Sequence, residues 1–282
     1  MKINQEILFM AGFPRAGSTL LMNILAQNPK FHATATSGLV SNIIQTRDNW
    51  VKIENHLSND EEYIYRKMKT MLRGMFYGYH YDELKNNQIP INKNRFWISQ
   101  IDLLDEIFDT RVKIIYPIRN VIDCLISFEK MWKISIINKR PIKNGIKELT
   151  TIGRAENLLA DEGVLGTPIL GLREIIYRKE LDRLILVPFN DLLKFPEASL
   201  KKLYSQLNIE NFEHDVNHIQ QSIVEYDMYH GYAPNTLHKI KEGKILSPNP
   251  RDLTIYDEKF IKFIENDKYK DITNFIKANT IL

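Results

Sequence analysis

A single cysteine, Cys124, stands among 282 residues, which excludes an internal disulfide framework and any zinc site built on several thiolates, and fits a reducing, cytoplasmic compartment. An excess of one charge is missing too. Thirty-eight Lys and Arg face 35 Asp and Glu, a net charge of +3, too little for a general nucleic-acid or membrane binder, so any anion site must be local. No apolar run approaches the roughly 18 residues of a membrane helix. The chain opens with a run of seven, residues 7–13, which has no leader cleavage pattern after it and reads as a buried strand. Internal repeats and low-complexity tracts are absent. What remains is a composition with 44% hydrophobic and 26% charged residues, that of a soluble globular protein able to bury a real core. Without a linker to divide it, the chain reads as one domain over residues 1–282.

Residues 6–11 read as a strand, 12–17 as a glycine-bounded loop, and 18–27 as a helix with Leu20, Leu21, Ile24 and Leu25 on one stripe. The following stretch reads as mostly helical, an insertion over about 40–85, in which Ser58 with Glu61 makes a capping-box pattern ahead of a helix that runs to about Gly78. Residues 86–94 hold a short strand, 96–108 an amphipathic helix, 112–117 an apolar run suited to a buried parallel strand, and 120–132 another helix. Residues 133–147 carry five positive charges and no carboxylate and read as a basic surface loop, able to attract an anionic acceptor such as an acidic glycan or peptide. Thr167 and Pro168 start a helix as cap and first-turn proline, residues 183–189 form a third strong strand, and Pro196 opens the next helix. A polar C-terminal extension, about 210–282, ends in an amphipathic helix over about 257–278. Strands alternating with helices predict an α/β fold of three layers, with a mostly parallel central sheet whose ligands lie beyond the strand C-termini.

The sequence Gly12-Phe13-Pro14-Arg15-Ala16-Gly17-Ser18-Thr19 matches G-x-x-x-x-G followed by two hydroxyl residues, placed between strand and helix. Glycines let such a backbone fold around an anion, and the helix N-terminus adds partial positive charge. Nucleoside triphosphatases of this design carry Lys after the second glycine and an acidic magnesium ligand at a later strand end. This chain has Ser18 and Arg119 in those places, which disfavours the alternative of a divergent ATP-dependent P-loop kinase. An unliganded glycine turn is the other alternative.

On these residues the chain resembles sulfotransferases that use 3′-phosphoadenosine 5′-phosphosulfate (PAPS). GFPRAGSTLL, residues 12–21, is similar to the family's 5′-phosphosulfate loop, and KIIYPIRNVIDCLISF, residues 113–128, to the strand and helix whose Arg and Ser, here Arg119 and Ser127, hold the 3′-phosphate. Asn92-Lys93-Asn94-Arg95-Phe96 resembles the N-K-x-x-F segment of the tyrosylprotein branch, the closest in pattern. RLILVPFNDLLKFP, residues 183–196, is similar to the family's late strand. The resemblance implies a soluble PAPS-dependent sulfotransferase that needs no metal. Lys93 and Arg15 would be catalytic, Pro14, Arg15, Ala16, Gly17, Ser18 and Thr19 would hold the 5′-phosphosulfate, Arg119 and Ser127 the 3′-phosphate, and Phe189 the adenine. The acceptor, a hydroxyl or amine on a glycan, peptide or small molecule, is not specified, and a catalytically inactive nucleotide- or glycan-binding relative is a further alternative.

Two departures concern the general base. Where the tyrosylprotein branch carries Glu the chain reads Ala35-Thr36-Ser37-Gly38, and where cytosolic members carry His it has Arg95. His32, His80, Asp48 and Glu54 are left as candidates. Tyr77, Tyr79 and Tyr81 are read either as acceptor-cleft or as helix-end residues, and residues 236–244 as a loop over the nucleotide.

Overall fold

The computed structural model describes residues 6–54, 60–137, 149–227, 237–247, 250–252 and 254–280. Five strands, β1 (Leu8–Met10), β2 (Phe31–Thr36), β3 (Ile89–Lys93), β4 (Ile114–Ile118) and β5 (Leu184–Pro188), form one sheet in the order β2-β3-β1-β4-β5. Every pairing is parallel, with Met10 opposite Lys93 and Phe9 opposite Ile114. The α/β class and the parallel sheet are thus as the sequence predicts.

Side-chain alternation divides the core in two. Phe9, Ile114 and Tyr116 face one layer, with Leu72, Phe76 and Trp97. Leu8, Met10 and Ile115 face the other, with Leu21, Leu25 and Leu203. Because both faces are covered, the inner strands β1 and β4 read as unbroken apolar runs, whereas β3 ends in the buried polar pair Asn92 and Lys93. The helices are α1 (Ser18–Leu25), α2 (Leu39–Glu54), α3 (Glu61–Tyr79), α4 (Tyr81–Lys85), α5 (Ile101–Phe108) and α6 (Val121–Ile137), followed by α7 (Thr151–Leu159), α8 (Gly166–Tyr177), α9 (Phe189–Lys194), α10 (Pro196–Leu207), α11 (Glu258–Lys262) and α12 (Lys270–Ala278).

Several local expectations are corrected. The stretch after α1 is mostly helical but also holds β2, an edge strand of mostly half-buried residues with an irregular register between Ala33 and Thr36, so it has no apolar run to announce it. Helix α3 is capped by Asp60, whose carboxylate accepts from the Tyr63 amide at 2.9 Å, while Ser58 lies outside the described residues. Helix α8 starts before Thr167, at Gly166, where a Cβ would sit 1.8 Å from the Ala160 carbonyl oxygen. Thr167 instead donates its hydroxyl to the Asp161 carbonyl at 3.1 Å. The supposed basic loop begins as helix, since α6 runs on to Ile137, and residues 138–147 lie outside the described residues. The last helix is interrupted by a π-helical turn, Phe263–Lys268, between α11 and α12. Residues 95–100 form a 3₁₀ turn ahead of α5, where a single helix from Phe96 was expected.

Candidate functional site

The loop after β1 is fixed by backbone geometry. Ala11 N–H donates to the Ile115 carbonyl at 3.0 Å and Phe13 N–H to the Pro117 carbonyl at 2.9 Å. This draws the chain so close to β4 that a Cβ on Gly12, which has φ 109°, would lie 2.5 Å from the Pro117 oxygen. Arg15 and Gly17 are both left-handed, at φ 65° and 81°. Gly17 caps α1 without any side-chain hydrogen bond, and the first-turn amides of a helix have no partner within it, so donors face the anion position.

The loop opens into a cavity of about 1280 Å³ at the C-terminal ends of the strands, shared by Pro14, Arg15, Gly17, Ser18 and Thr19 with Lys93, Arg119, Ser127 and Phe189. Ala16 is the exception among the expected loop residues. Its side chain is buried in the core and only its backbone belongs to the turn.

Contacts tie these residues together across the sheet. Arg15 donates through Nε to Ser127 Oγ at 3.0 Å and through a terminal nitrogen to the Leu237 carbonyl. Arg119 donates to the Arg15 carbonyl at 2.9 Å, and its guanidinium lies 4.4 Å from the centre of the Phe189 ring. That ring also presses on the loop, since a Cβ on Gly17 would come within 2.6 Å of it. Among the described residues, the Nε of Arg119 is buried without a hydrogen-bond partner, a donor that an anionic ligand would satisfy.

Lys93, the last residue of β3, is buried and ion-paired with Glu225. Burial pushes the Lys93 ammonium below its ordinary pKa, with Glu225 opposing. Burial would raise Glu225, but Lys93 and His238 outweigh it and hold the carboxyl below its ordinary value. Glu225 Oε2 also accepts from Thr36 Oγ1 at 2.7 Å and lies 3.3 Å from His238 Nε2, and His238 Nδ1 lies 2.8 Å from Asp227 Oδ1. Burial is the largest influence lowering the His238 pKa. In this Asp227–His238–Glu225–Lys93 chain, His238, Glu225 and Lys93 line the cavity with Asp227 buried behind them, and the chain was not anticipated from the sequence. Glu225 and Asp227 follow a segment held to α1 by Asn23, whose side-chain oxygen accepts from the Ser222 and Ile223 amides at 2.7 and 3.1 Å. Within the expected nucleotide loop, Leu237, His238, Lys239, Lys241 and Lys244 line the cavity, and Thr236 lies outside the described residues.

The candidate bases read from the sequence lie elsewhere. His32 pairs with Glu83 at 3.3 Å, His80 is buried against Asn92 at 3.0 Å, and Asp48 pairs with Arg47 at 2.7 Å. None of these lines the cavity, and the Glu54 side chain lies outside the described residues. Tyr77, Tyr79 and Tyr81 are exposed and do not line it either. Tyr77 donates to Glu6, and the Tyr79 hydroxyl lies 3.3 Å from Ser37 Oγ. Arg95, two residues after Lys93, does line it. Among the described residues, no group of three or more His, Cys, Asp or Glu is placed to hold a metal ion, and no helix is long and apolar enough to cross a membrane.

A parallel α/β sheet with a glycine-bounded loop and basic residues around a cavity at its strand ends suits an enzyme that acts on an anionic substrate, and comparison with known proteins gives the family. The sequence profile of the sulfotransferase family matches residues 8–214. The chain therefore belongs to the sulfotransferase family. No curated protein matches it in sequence. Among solved structures it is similar to the sulfotransferase domain from the curacin biosynthetic pathway, at 17% identity and a TM-score of 0.52, over 98% of this chain and 97% of that one. The sulfotransferase domain of the Synechococcus PCC 7002 olefin synthase follows at 19% identity, 88% and 90% coverage and a TM-score of 0.46. A sulfotransferase from Alicyclobacillus acidocaldarius gives 13%, 82% and 89%, and 0.43. The first of these likenesses supports the fold.

Proposed function

We propose that this sulfotransferase takes its sulfuryl group from PAPS and delivers it to a hydroxyl or amine of an acceptor. The observation that carries the donor assignment is the assembly of Arg15, Gly17, Arg119, Ser127 and Phe189 at one place, with the Arg119 Nε buried and unsatisfied. Arg119 and Ser127 would hold the 3′-phosphate. The loop amides with Ser18 and Thr19 would hold the 5′ side, and the Phe189 ring would pack on the adenine.

The donor supplies a sulfuryl group on a good leaving phosphate, and transfer of such a group passes through a loose transition state that asks little covalent chemistry of the protein. What the protein must provide is positive charge where the leaving oxygen becomes negative. Lys93 and Arg15 reach the cavity on adjacent strand ends and are the groups placed to do so. Glu225 is the carboxylate placed to take the acceptor's proton. Lys93 and His238 keep it ionised, as a base must be, and Asp227 holds the imidazole in orientation.

Thermal unfolding with adenosine 3′,5′-bisphosphate, adenosine 5′-phosphate, and ATP with magnesium tests the donor assignment. A ligand at 100 times its dissociation constant adds about 2.7 kcal/mol. The bisphosphate is expected to stabilise most, independently of magnesium, and Arg119→Ala to erase its advantage over the monophosphate. Stabilisation by ATP with magnesium alone would overturn the reading in favour of a kinase.

A further inference from the structure

Among the described residues, Arg95 is a cation without a counterpart. It follows β3 at the first position of the 3₁₀ turn, lines the cavity, and its Nε is buried with no hydrogen-bond partner. Among the described residues the guanidinium makes no ion pair, and its nearest cation–π contact is the adjacent Phe96 ring at 5.2 Å. Burial alone draws its pKa down, with no neighbouring charge contributing. Two other cations at the rim are engaged, Lys130 with Asp252 and Arg251 with Asp123 and Glu265. A guanidinium half out of water and unpaired is unfavourable until an anion meets it, and its fork fits a carboxylate or phosphate edge.

Its place in the sheet says which ligand that anion belongs to. The strand order puts β1, β4 and β5 on one side of Lys93 and β2 on the other. The groups assigned to the donor, the loop with Arg119, Ser127 and Phe189, belong to the β1, β4 and β5 side. Arg95 follows β3, whose end is bonded to the end of β2 by the Ser37 amide on the Lys93 carbonyl and the Asn94 side chain on the Ser37 carbonyl, and Thr36, Ser37, Gly38 and Ser41 line the same cavity. On the donor assignment, this is the side left for the acceptor.

We infer that Arg95 is an anion receptor for the acceptor, so that the molecule sulfated by this protein carries a carboxylate or phosphate close to the hydroxyl or amine that receives the group. The inference rests on the donor assignment above for which side is which. Asn94 fixes the receptor: its side chain donates to the Ser37 carbonyl at 2.7 Å and accepts from the Phe96 amide at 3.0 Å, so the backbone on either side of it is pinned.

The test loads wild-type protein and Arg95→Gln with saturating adenosine 3′,5′-bisphosphate, then titrates inorganic phosphate, acetate and uncharged acetamide by calorimetry. Wild type is expected to bind phosphate or acetate in the millimolar range and acetamide not at all, with the anion about tenfold weaker or lost in Arg95→Gln. The stronger of the two anions identifies the group on the acceptor. Equal anion binding by the two proteins overturns the inference. So does a drop in bisphosphate affinity in Arg95→Gln, which would give Arg95 to the donor. If wild type does not bind the bisphosphate, the donor assignment falls, and the same titrations on ligand-free protein still decide whether Arg95 receives an anion. Removing an unpaired, partly buried charge should leave the ligand-free fold at least as stable as wild type. Arg95→Lys, which keeps the charge and loses the fork, is the second variant and should bind acetate with intermediate strength.

Discussion

Lys93 and Glu225 offer a measurement that needs neither donor nor acceptor. Their side chains are 7% and 3% exposed, and breaking a buried pair by neutralising one member costs about 3–5 kcal/mol, because the other is left charged and unpaired. Glu225→Gln strands the Lys93 ammonium, so its cost falls in that range. Lys93→Met is milder, because the carboxylate keeps the Thr36 hydroxyl at 2.7 Å and the His238 ring at 3.3 Å, and a proton taken up by His238 restores a counter-charge. A loss of about 1–3 kcal/mol is expected there. The double variant has no buried charge left to compensate and should lie within about 1 kcal/mol of wild type. Urea unfolding of the four proteins then yields a coupling energy of at least about 3 kcal/mol, since the two single costs sum to about 4 kcal/mol or more. A coupling below about 0.5 kcal/mol, the level at which independent sites simply add, would refute the pair. Repeating the cycle with saturating bisphosphate extends the argument to function. If the 5′-phosphate reaches Lys93, the ligand supplies the missing anion and the penalty of Glu225→Gln shrinks.

Two further perturbations test the loop and the core. Gly12→Ala should cost about 2–4 kcal/mol in urea unfolding, from a positive φ that disfavours a side chain and a contact with the hydrogen-bonded Pro117 carbonyl. Gly74→Ala in α3, where a Cβ meets nothing within 4 Å, should stabilise by about 0.5–1 kcal/mol. Acid should weaken the fold through His80, held at about 4 by burial with Glu83 opposing and His32 adding slightly. Its folded value lies below the unfolded 6.5, so its contribution is present above pH 6.5 and is lost as pH falls toward 4. That loss is up to about 3 kcal/mol, and a urea-midpoint profile of His80→Gln should be flatter over that window.

What could be read in advance follows from locality. The inner strands announce themselves because burial on both faces demands continuous apolar residues, and Ile114, Ile115 and Tyr116 comply. The anion loop is equally local, since Gly12 and Gly17 stand where the backbone turns left-handed or touches β4. Strand β2 is paired on one side only, so His32, Thr34 and Thr36 suffice for it and leave no hydrophobic signature. Glu225 reaches Lys93 across 132 positions. It gets there because Asn23 on α1 grips Ser222 and Ile223, a tertiary contact with no counterpart in spacing or periodicity. On the proposed reading, the base therefore lies far in sequence from the family's usual segments.

On the proposed reading, the order of the strand ends also explains how one cavity would keep three anionic groups apart. Arg119 leaves β4 and Arg15 the loop after β1, and the two are linked through the Arg15 carbonyl, so charges gathered there act on one ligand. Lys93 and Arg95 leave the same strand only two residues apart and would be expected to meet the same anion. They do not share a partner, because β3 ends between them: the Asn94 amide donates to the Met10 carbonyl at 2.9 Å and its side chain turns the next residues into the 3₁₀ turn. Lys93 keeps its strand direction and meets Glu225, while Arg95 departs over Phe96. On the proposed reading, that change of direction at Asn94 is what separates a cation for the leaving group from a cation for the acceptor.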